Sequence, residues 1–438
     1  MKHLISALAC FAILLASCAT SAKKSESKES NPFVRVENGQ FMRGDSSYYY
    51  VGTNFWYGAI LGSEGQGGNR ERLCKELDHL KSIGINNLRV LVGAQGEDNE
   101  PARVQPALQR TPTEYNDTIL DGLDFFLAEL GKRDMVAVLY LNNSWEWSGG
   151  YSIYLQWAGA GKAPVLLTDG WSNFQPYVKE FLRNDSAQAL FAKHVDFILN
   201  RTNRYTNKKY TEDPAIMAWQ VGNEPRAFAD ECKEPFAKWI AKVAAQIKSI
   251  DKNHMVSIGS EGIWGCEMDS TLCANIHADA NVDYITCHLW PYNWSWTKPD
   301  SLMECVPRSC DNAKAYIGQH TSMGRALKKP VVLEEFGYPR DEMSITPGSP
   351  TQARDEFYKY VFNLIVEDSQ SGGPFAGCNF WAWGGFAQPK NHTEFPFWRP
   401  GEDYTGDPSQ EAQGLNSVFA ADESTLNIIS DAVKKFAK

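Results

Sequence analysis

The chain has 438 residues, of which 43% are hydrophobic and 22% are charged, a composition typical of a globular protein with a large core. Asp and Glu number 53 against 43 Lys and Arg, and the formal net charge is -10. This acidic balance argues against a nucleic-acid partner, because the phosphate backbone demands a basic protein face.

The first 32 residues differ in composition from the rest of the chain. The apolar run from Leu4 to Ala16 is shorter than the roughly 20 residues that span a membrane, so it predicts the core of a secretory signal. It ends in Leu-Ala-Ser-Cys at Cys18, which resembles a bacterial lipobox, although a plain signal peptide is the alternative. We therefore expect a signal peptide over residues 1–17, a lipid anchor on Cys18 and a flexible tether over residues 18–32.

Export to an oxidising compartment permits disulfide bonds. Cys266/Cys273 and Cys305/Cys310 are close in sequence, so they are the candidate pairs, although spacing does not prove either pairing. No Cys-x-x-Cys occurs and no His, Asp or Glu cluster has metal-ligand spacing, so we expect neither a catalytic metal nor a cofactor. If the anchor is present, we expect the protein at a membrane, with the outer membrane or the cell surface favoured.

Continuous apolar runs recur along the chain, and such runs are typical of parallel strands that are covered on both faces. Most are followed by apolar residues at helical spacing, as in Leu73, Leu77 and Leu80, with Asn69 as the predicted N-cap. The runs are Tyr50–Trp56, Asn87–Val92, Met135–Leu141, Ile216–Gly222, Met255–Gly259, Tyr284–Leu289, Val331–Glu335 and Cys378–Trp383.

Eight strand–helix units predict an α/β fold of the (β/α)8 (TIM) barrel type. A doubly wound open sheet is the alternative, but no glycine-rich fingerprint follows the first run. The composition does not break between residues 33 and 438, so we expect one catalytic domain there. Its longest loops follow the third, sixth and eighth runs, and in a barrel they meet at the C-terminal face, where active sites lie.

Two glutamates follow buried strands, Glu224 in Asn-Glu-Pro and Glu335 in Glu-Glu-Phe-Gly. Buried glutamate is rare, and the fourth and seventh strands of a barrel face each other across its mouth. Opposed carboxyl groups are what glycoside hydrolysis requires, since one protonates the leaving oxygen and the other attacks the sugar. Glu334 is expected to point the other way, as an ion-pair partner behind the barrel wall.

These motifs resemble those of family 5 glycoside hydrolases, retaining barrel enzymes, and more closely their endo-β-1,4-mannanase branch. The resemblance extends from Phe33 to the end of the chain. It implies that Glu335 is the nucleophile and that Glu224, held protonated by apolar surroundings, is the acid/base. It further implies that Arg89 orients and ionises the nucleophile and that Asn223 holds the sugar 2-hydroxyl.

Four further positions match the family's substrate site. His288 corresponds to the histidine on the sixth strand, and Trp381 to the tryptophan under the substrate. Asn143 and Trp145 belong to a mannanase-like Asn-Asn-x-Trp sequence. We therefore expect all four to bind substrate.

The positions after the fourth, fifth and sixth strands bear on specificity. Arg226 and Glu261 match residues that hold leaving-group-side sugars in the mannanase branch, and they favour a mannanase over a cellulase. The family usually has Tyr two residues after His288, whereas this chain has Trp290, with Tyr292 slightly beyond. Either residue could donate the tyrosine's hydrogen bond to the nucleophile.

Nine of the 14 tryptophans follow predicted strand ends, more than core packing needs. Flat indole faces suit the C–H faces of pyranose rings. We assign Trp56 to the substrate site on this basis, whereas Trp171 is expected to be a packing residue. The nine are Trp56, Trp145, Trp147, Trp264, Trp290, Trp294, Trp296, Trp381 and Trp383.

The sequence therefore predicts a monomeric, retaining endo-β-1,4-mannanase that acts on mannan, glucomannan or galactomannan. An endo-β-1,4-glucanase and an exo-β-mannosidase are the alternatives on the same fold. A glycan-binding surface lipoprotein without catalysis is the alternative from a different class, but binding alone does not require both glutamates.

Overall fold

A computed structural model describes residues 31–100, 103–390 and 397–436 of the chain. The predicted signal peptide, Cys18 and most of the tether lie outside these residues, so the lipid anchor stays a prediction. Among the helices of the described part, none has both the length and the apolar character that a membrane crossing needs.

The predicted barrel is confirmed by eight parallel strands, which lie in the order β5-β4-β3-β2-β1-β8-β7-β6. The Asp283 N–H bridges the seam between β5 and β6 by donating to the Val256 oxygen at 2.8 Å, and Thr286 Oγ1 donates there to the Ser260 oxygen at 2.9 Å. The strands are β1 (Tyr50–Asn54), β2 (Asn87–Leu91), β3 (Val136–Tyr140), β4 (Ile216–Gln220), β5 (Met255–Ser257), β6 (Ile285–Leu289), β7 (Val331–Phe336) and β8 (Phe375–Phe380).

Eight main helices surround the strands. Asn69 caps the first of them as predicted, because its side chain accepts the Arg72 N–H at 2.9 Å, and Leu73, Leu77 and Leu80 are fully buried against the barrel. The helices are α1 (Arg70–Ser82), α2 (Asp117–Lys132), α3 (Asp185–Leu199), α4 (Lys233–Ile250), α5 (Ser270–Ala278), α6 (Val306–Leu327), α7 (Gln352–Gln370) and α8 (Glu423–Phe436).

The two ends of the barrel carry additional short elements. An antiparallel sheet (Val34–Glu37, Gln40–Arg43, Ser46–Ser47) covers the N-terminal end, where Phe41 packs against Tyr50 and Tyr284. The loops hold the α-helices Gly58–Leu61, Gly150–Trp157, Leu166–Asp169 and Trp171–Val178, and the 3-10 helices Glu146–Ser148, Lys179–Arg183, Tyr210–Glu212, Asp230–Cys232, Trp264–Cys266 and Asp341–Met343.

The eighth strand begins three residues earlier than the sequence predicted and ends at Phe380. Trp383 belongs instead to a separate short strand, Trp383–Gly385, which pairs with Val418–Phe419 inside the loop after β8. Both segments are buried and therefore apolar, so the apolar pattern predicted them as one strand.

Neither predicted disulfide is present, since all the cysteines in the described residues are free. Cys305 and Cys310 lie five residues apart at the start of α6, and at about 100° per residue a helix turns them to different faces. Cys266 and Cys273 are both buried, and no covalent bond joins them. Cys273 Sγ also lies 3.7 Å from His277 Nδ1, so its surroundings are those of a buried thiol.

The loops after β2 and β8 meet over the end of β1. The Tyr404 hydroxyl accepts the Gln105 N–H at 2.8 Å and donates to the Gln105 oxygen at 2.6 Å, which ties the two loops together. Beneath them, Trp56 Nε1 donates to the Gly406 oxygen at 2.8 Å, and its ring lies 5.0 Å from that of Tyr404. This side of the barrel mouth is therefore filled by protein.

Candidate active site

Glu224 and Glu335 line a cavity of about 300 Å³ at the C-terminal face of the barrel. Glu335 lies in β7, and Glu224 lies four residues beyond the end of β4. One oxygen of each carboxylate and one ring nitrogen of His288 all lie within 4.8 Å of one another. This bound is below the roughly 6.5–9.5 Å that leaves room for a water, and it agrees with glycosidases in which one carboxylate attacks the sugar.

The backbone at Glu224 adopts a left-handed conformation, with φ of 47°. Such a conformation is unfavourable for a residue with a long side chain and persists only where neighbouring groups hold it. Here the Glu224 N–H donates to the Gly259 oxygen at 2.9 Å, and Ser144 Oγ donates to the Glu224 oxygen at 2.5 Å. These bonds aim the carboxyl group into the cavity.

Arg89 is fully buried on β2 and connects the catalytic groups. Its guanidinium contacts Glu335 Oε1 and donates to Asn223 Oδ1 at 3.0 Å and to Asn54 Oδ1 at 3.1 Å. The two carboxylates and His288 have the donor types of a metal site, but the guanidinium already neutralises Glu335 and disfavours a second cation there. The predicted role of Arg89 in orienting Glu335 agrees with this geometry.

Trp290 and His288 complete the hydrogen bonds of the two carboxylates. Trp290 Nε1 donates to Glu335 Oε2 at 3.2 Å, so the indole, and not Tyr292, stands where the family has its tyrosine. His288 Nδ1 lies 2.7 Å from Glu224 Oε1 and 3.3 Å from Glu335 Oε2. His288 is fully buried and thus contacts the catalytic pair rather than the cavity.

Glu334 points into the barrel, contrary to prediction. The pairing of β7 with β6 is irregular between Leu333 and Glu335, and such a bulge allows two consecutive side chains to face the same side. The Glu334 carboxylate accepts from Gln220 Nε2 at 2.5 and 2.6 Å and lies 3.7 Å from Arg89. It is an ion-pair partner, as expected, but beneath the active site instead of behind the wall.

The protonation of the pair differs from the prediction, in which Glu224 is held protonated and Arg89 keeps Glu335 ionised. Burial raises the pKa of Glu224, but hydrogen bonds from His288 and Trp145 outweigh it and place the pKa below its ordinary value. Burial and the nearby Glu224 carboxylate raise the pKa of Glu335 well above its ordinary value, and Arg89 offsets them only in part. At pH values between these two pKa values, Glu224 and Glu335 together hold one proton.

Two walls of the cavity carry aromatic and charged side chains. Trp264 and Trp294, from the loops after β5 and β6, stack at 4.4 Å and form one wall. Arg226 lies 3.6 Å from Glu261, and both line the cavity, as predicted. Trp381 lines the floor, and its Nε1 has no hydrogen-bond partner among the described residues.

Trp56 and Asn143 do not reach the cavity, so their assignment to substrate is wrong. Trp56 is 1% exposed and is covered by the loop after β8. Asn143 is fully buried and accepts from Asn223 Nδ2 at 3.3 Å, so it supports Asn223 from behind. Trp171 is the converse case, because it was expected in the core but is 49% exposed.

The loop after β8 supplies residues that the sequence motifs did not indicate. Pro408, Gln410 and Glu411 line the cavity together with Trp145 and Trp147 from the loop after β3. Burial, followed by the nearby Asp407 and Glu224 carboxylates, raises the pKa of Glu411 to about 8. The only signal for this wall in the sequence was the length of the loop.

Residues 31–438 match the family described as GH family 5 beta-mannosidase-like. A mannan endo-1,4-beta-mannosidase 4 of Solanum lycopersicum is 27% identical over 82% of this chain and 85% of its own. A putative mannan endo-1,4-beta-mannosidase 4 of Arabidopsis thaliana is 28% identical over 97% of both chains.

The chain is also similar to solved structures of glycoside hydrolases. The glycoside hydrolase family 5 mannosidase of Rhizomucor miehei is 32% identical and superposes with a TM-score of 0.84 over 93% of this chain and 98% of its own. The endo-1,4-beta-mannanase of the same organism is 22% identical, with a TM-score of 0.68 over 92% of this chain and 99% of its own, and shares the fold. The chain belongs to the β-mannosidase-like group of glycoside hydrolase family 5 and is a glycoside hydrolase.

Proposed function

We propose that this enzyme hydrolyses β-1,4-mannosidic bonds with retention of configuration, and that it removes single mannose units from the ends of mannan-derived chains. In the first step Glu335 attacks the anomeric carbon and forms a glycosyl ester, while Glu224 gives its proton to the leaving oxygen. In the second step Glu224 takes a proton from water, whose oxygen displaces Glu335 from the sugar.

The surrounding residues support the proton arrangement that this reaction needs. The guanidinium of Arg89 and the indole N–H of Trp290 stabilise the Glu335 carboxylate when the shared proton resides on Glu224. Burial lowers the pKa of His288 to about 4, so the imidazole is neutral at neutral pH. Its Nδ1 contacts both carboxyl groups and holds them in position without adding a charge to the pair.

The proposal that the enzyme acts at chain ends rests on the shape of the cavity. On the side of β1 and β2, the mouth is filled by Trp56, Tyr404 and the tied loops, and no described residue of the loops after β1 and β2 lines the cavity. On the other side, the cavity continues past Glu224 to Arg226 and Glu261, where the family resemblance places leaving-group sugars. If the cavity is closed beyond the sugar that Glu335 attacks, only that one sugar fits on the side away from the leaving group.

The relatives support both the proposal and its alternative. The Rhizomucor structure at 32% identity is named a mannosidase, whereas the plant relatives at 27–28% identity are named endo-acting enzymes. Cleavage within the chain, which the sequence motifs predicted, is therefore the second candidate. β-Mannan polysaccharide and its oligosaccharides are the proposed substrates in either case.

Mannopentaose with its reducing end converted to the alditol separates these candidates. We expect mannose and the four-sugar alditol as the only early products, because the closed side admits one sugar. Early mannobiose or mannotriose would show cleavage within the chain. Cello-oligosaccharides serve as the matched control substrate. Hydrolysis of these and not of the mannan oligosaccharides would identify a glucanase. Binding of either oligosaccharide without hydrolysis would identify a glycan-binding protein.

The pH dependence of mannobiose hydrolysis follows from the shared proton. Activity requires one proton on the pair, so kcat should fall when a second proton adds at acid pH and when the shared proton leaves at alkaline pH. From the directions of the two shifts, we expect the acid limb below the ordinary glutamate value of 4.5 and the alkaline limb well above it. A single limb centred near 4.5 would contradict a shared proton.

The titration of another carboxyl group, that of Glu261, should affect the pH dependence of mannobiose hydrolysis. Burial and then Glu224 raise the pKa of Glu261 to about 8, and Glu261 lines the leaving-group side of the cavity. We expect an additional change in kcat/KM near pH 8 that is absent from Glu261→Gln.

A further inference from the structure

Trp171 is exposed far more than a tryptophan in a folded enzyme usually is. Trp171 is 49% accessible, and Leu167, four residues earlier in the same loop, is 47% accessible. Indole has the largest apolar surface of the side chains, so leaving half of it in water forgoes stabilisation that burial would give. Exposed apolar surface of this kind commonly marks a binding site.

The position of Trp171 connects it to the active site. Its ring centroid lies 6.4 Å from that of Trp145, which lines the cavity and donates through Nε1 to Glu224 Oε2 at 2.6 Å. Leu166 also lines the cavity and directly precedes Leu167. The Trp145 ring therefore lies between Trp171 and Glu224, the proposed acid/base. Trp171 lies on the side where the leaving group departs.

The ring is held in place by its inner face. It lies 6.1 Å from Phe174 and 6.3 Å from Phe228, which follows the Asn-Glu-Pro-Arg motif by two residues. Gln175 Nε2 donates to the Phe228 oxygen at 2.7 Å and fastens the helix Trp171–Val178 to the loop after β4. A fixed aromatic face loses little conformational entropy when a ligand binds.

Polar groups lie beside two of the rings that Trp171 packs against, Trp145 and Phe228. Arg226 lies 6.0 Å from both the Trp145 and the Phe228 rings, and its Nε donates to Glu267 Oε1 at 3.2 Å. Pyranose rings present C–H groups to an aromatic face and hydroxyls at their edges, and this combination of side chains matches both.

We propose that Leu167 and Trp171 form an outer platform that binds a leaving-group-side mannose beyond the one held at Arg226 and Glu261. This proposal rests on the proposed β-mannosidic activity and extends it, since it makes longer β-1,4-mannan chains the preferred substrates. The occupant is a later sugar of the same chain, because the platform is continuous with the open side of the cavity.

The platform is tested by comparing kcat/KM for mannopentaose with that for mannobiose, which is too short to reach it. Replacing Trp171 with alanine should lower the ratio of the two values about 5- to 10-fold, and Trp171→Phe should restore most of it. Phe197→Ala is the matched control, because Phe197 is 40% exposed on α3 and stacks on Tyr115 away from the cavity. The control should keep the wild-type ratio.

The possible outcomes are distinct. An unchanged ratio in Trp171→Ala, or an equal loss on both substrates, would overturn the platform while leaving the enzymatic activity intact. If the wild-type protein hydrolyses no β-mannoside, the proposed function fails and the platform fails with it. A fall in the ratio of the Phe197→Ala variant would show that the effect is not specific to Trp171.

Discussion

Replacing Glu335 with alanine is expected to lower turnover of β-mannosides by about 10⁴-fold or more, because no other group can form the covalent bond to the sugar. Azide fits the space left by the carboxylate and should restore part of the activity. It attacks from the same face as Glu335 and should give the α-mannosyl azide. Proton NMR of the wild-type reaction should show β-mannose as the first product, before mutarotation.

Glu334 provides the matched control, since it is the adjacent glutamate and is also fully buried. Its carboxylate contacts Gln220 beneath the site and does not line the cavity. Azide should therefore not rescue whatever activity Glu334→Gln loses. Release of α-mannose by the wild-type enzyme, or azide rescue of the Glu334 variant, would show that Glu335 is not the nucleophile.

Replacing Glu224 with alanine should produce a different pattern, which depends on the leaving group. Loss of a general acid typically costs about 10²–10⁴-fold, and we expect a loss of this size for mannobiose, whose leaving hydroxyl needs a proton. Dinitrophenyl β-mannoside has a leaving group that departs without one, so the first step should be largely retained. Stopped-flow measurement of the dinitrophenol burst separates the first step from the second.

Glu261→Gln controls for the loss of a buried carboxyl group in the same cavity, because Glu261 is 3% exposed and also lines it. This variant should lose activity through binding on the leaving-group side. It should show no burst with the dinitrophenyl substrate, unlike Glu224→Ala, in which the covalent intermediate accumulates. If Glu224→Ala lost activity equally on both substrates, the assignment of Glu224 as acid/base would be wrong.

The sequence predicted the barrel, and it predicted that Glu224 and Glu335 lie at one face of it. Strands covered on both faces must be apolar along their whole length, so the eight strands appear as continuous runs that local composition reveals. A parallel barrel brings the C-terminal ends of all its strands to one face, and two motifs at strand ends therefore had to meet there. The positions of Glu224 and Glu335 followed from these two constraints without knowledge of any loop.

Features that depend on how loops fold over the barrel could not be predicted. A distant loop buries Trp56, which was expected at the substrate, whereas Trp171, which was expected in the core, is left 49% exposed. The direction of Glu334 depends on a bulge in strand pairing, which leaves no mark in the apolar pattern. The pKa of Glu224 depends on donors from two other segments, His288 on β6 and Trp145 in the loop after β3.

The sequence by itself thus determined which carboxyl groups meet at the barrel mouth, and the tertiary structure decided the shape of the cavity around them. Catalytic groups are positioned by strand ends, whose direction is encoded locally by the alternation of strand and helix. The closed and open sides of the cavity arise from contacts between different loops, such as Gln105 with Tyr404 and Trp171 with Phe228. Such contacts depend on the packing of whole loops, and no local pattern specifies them.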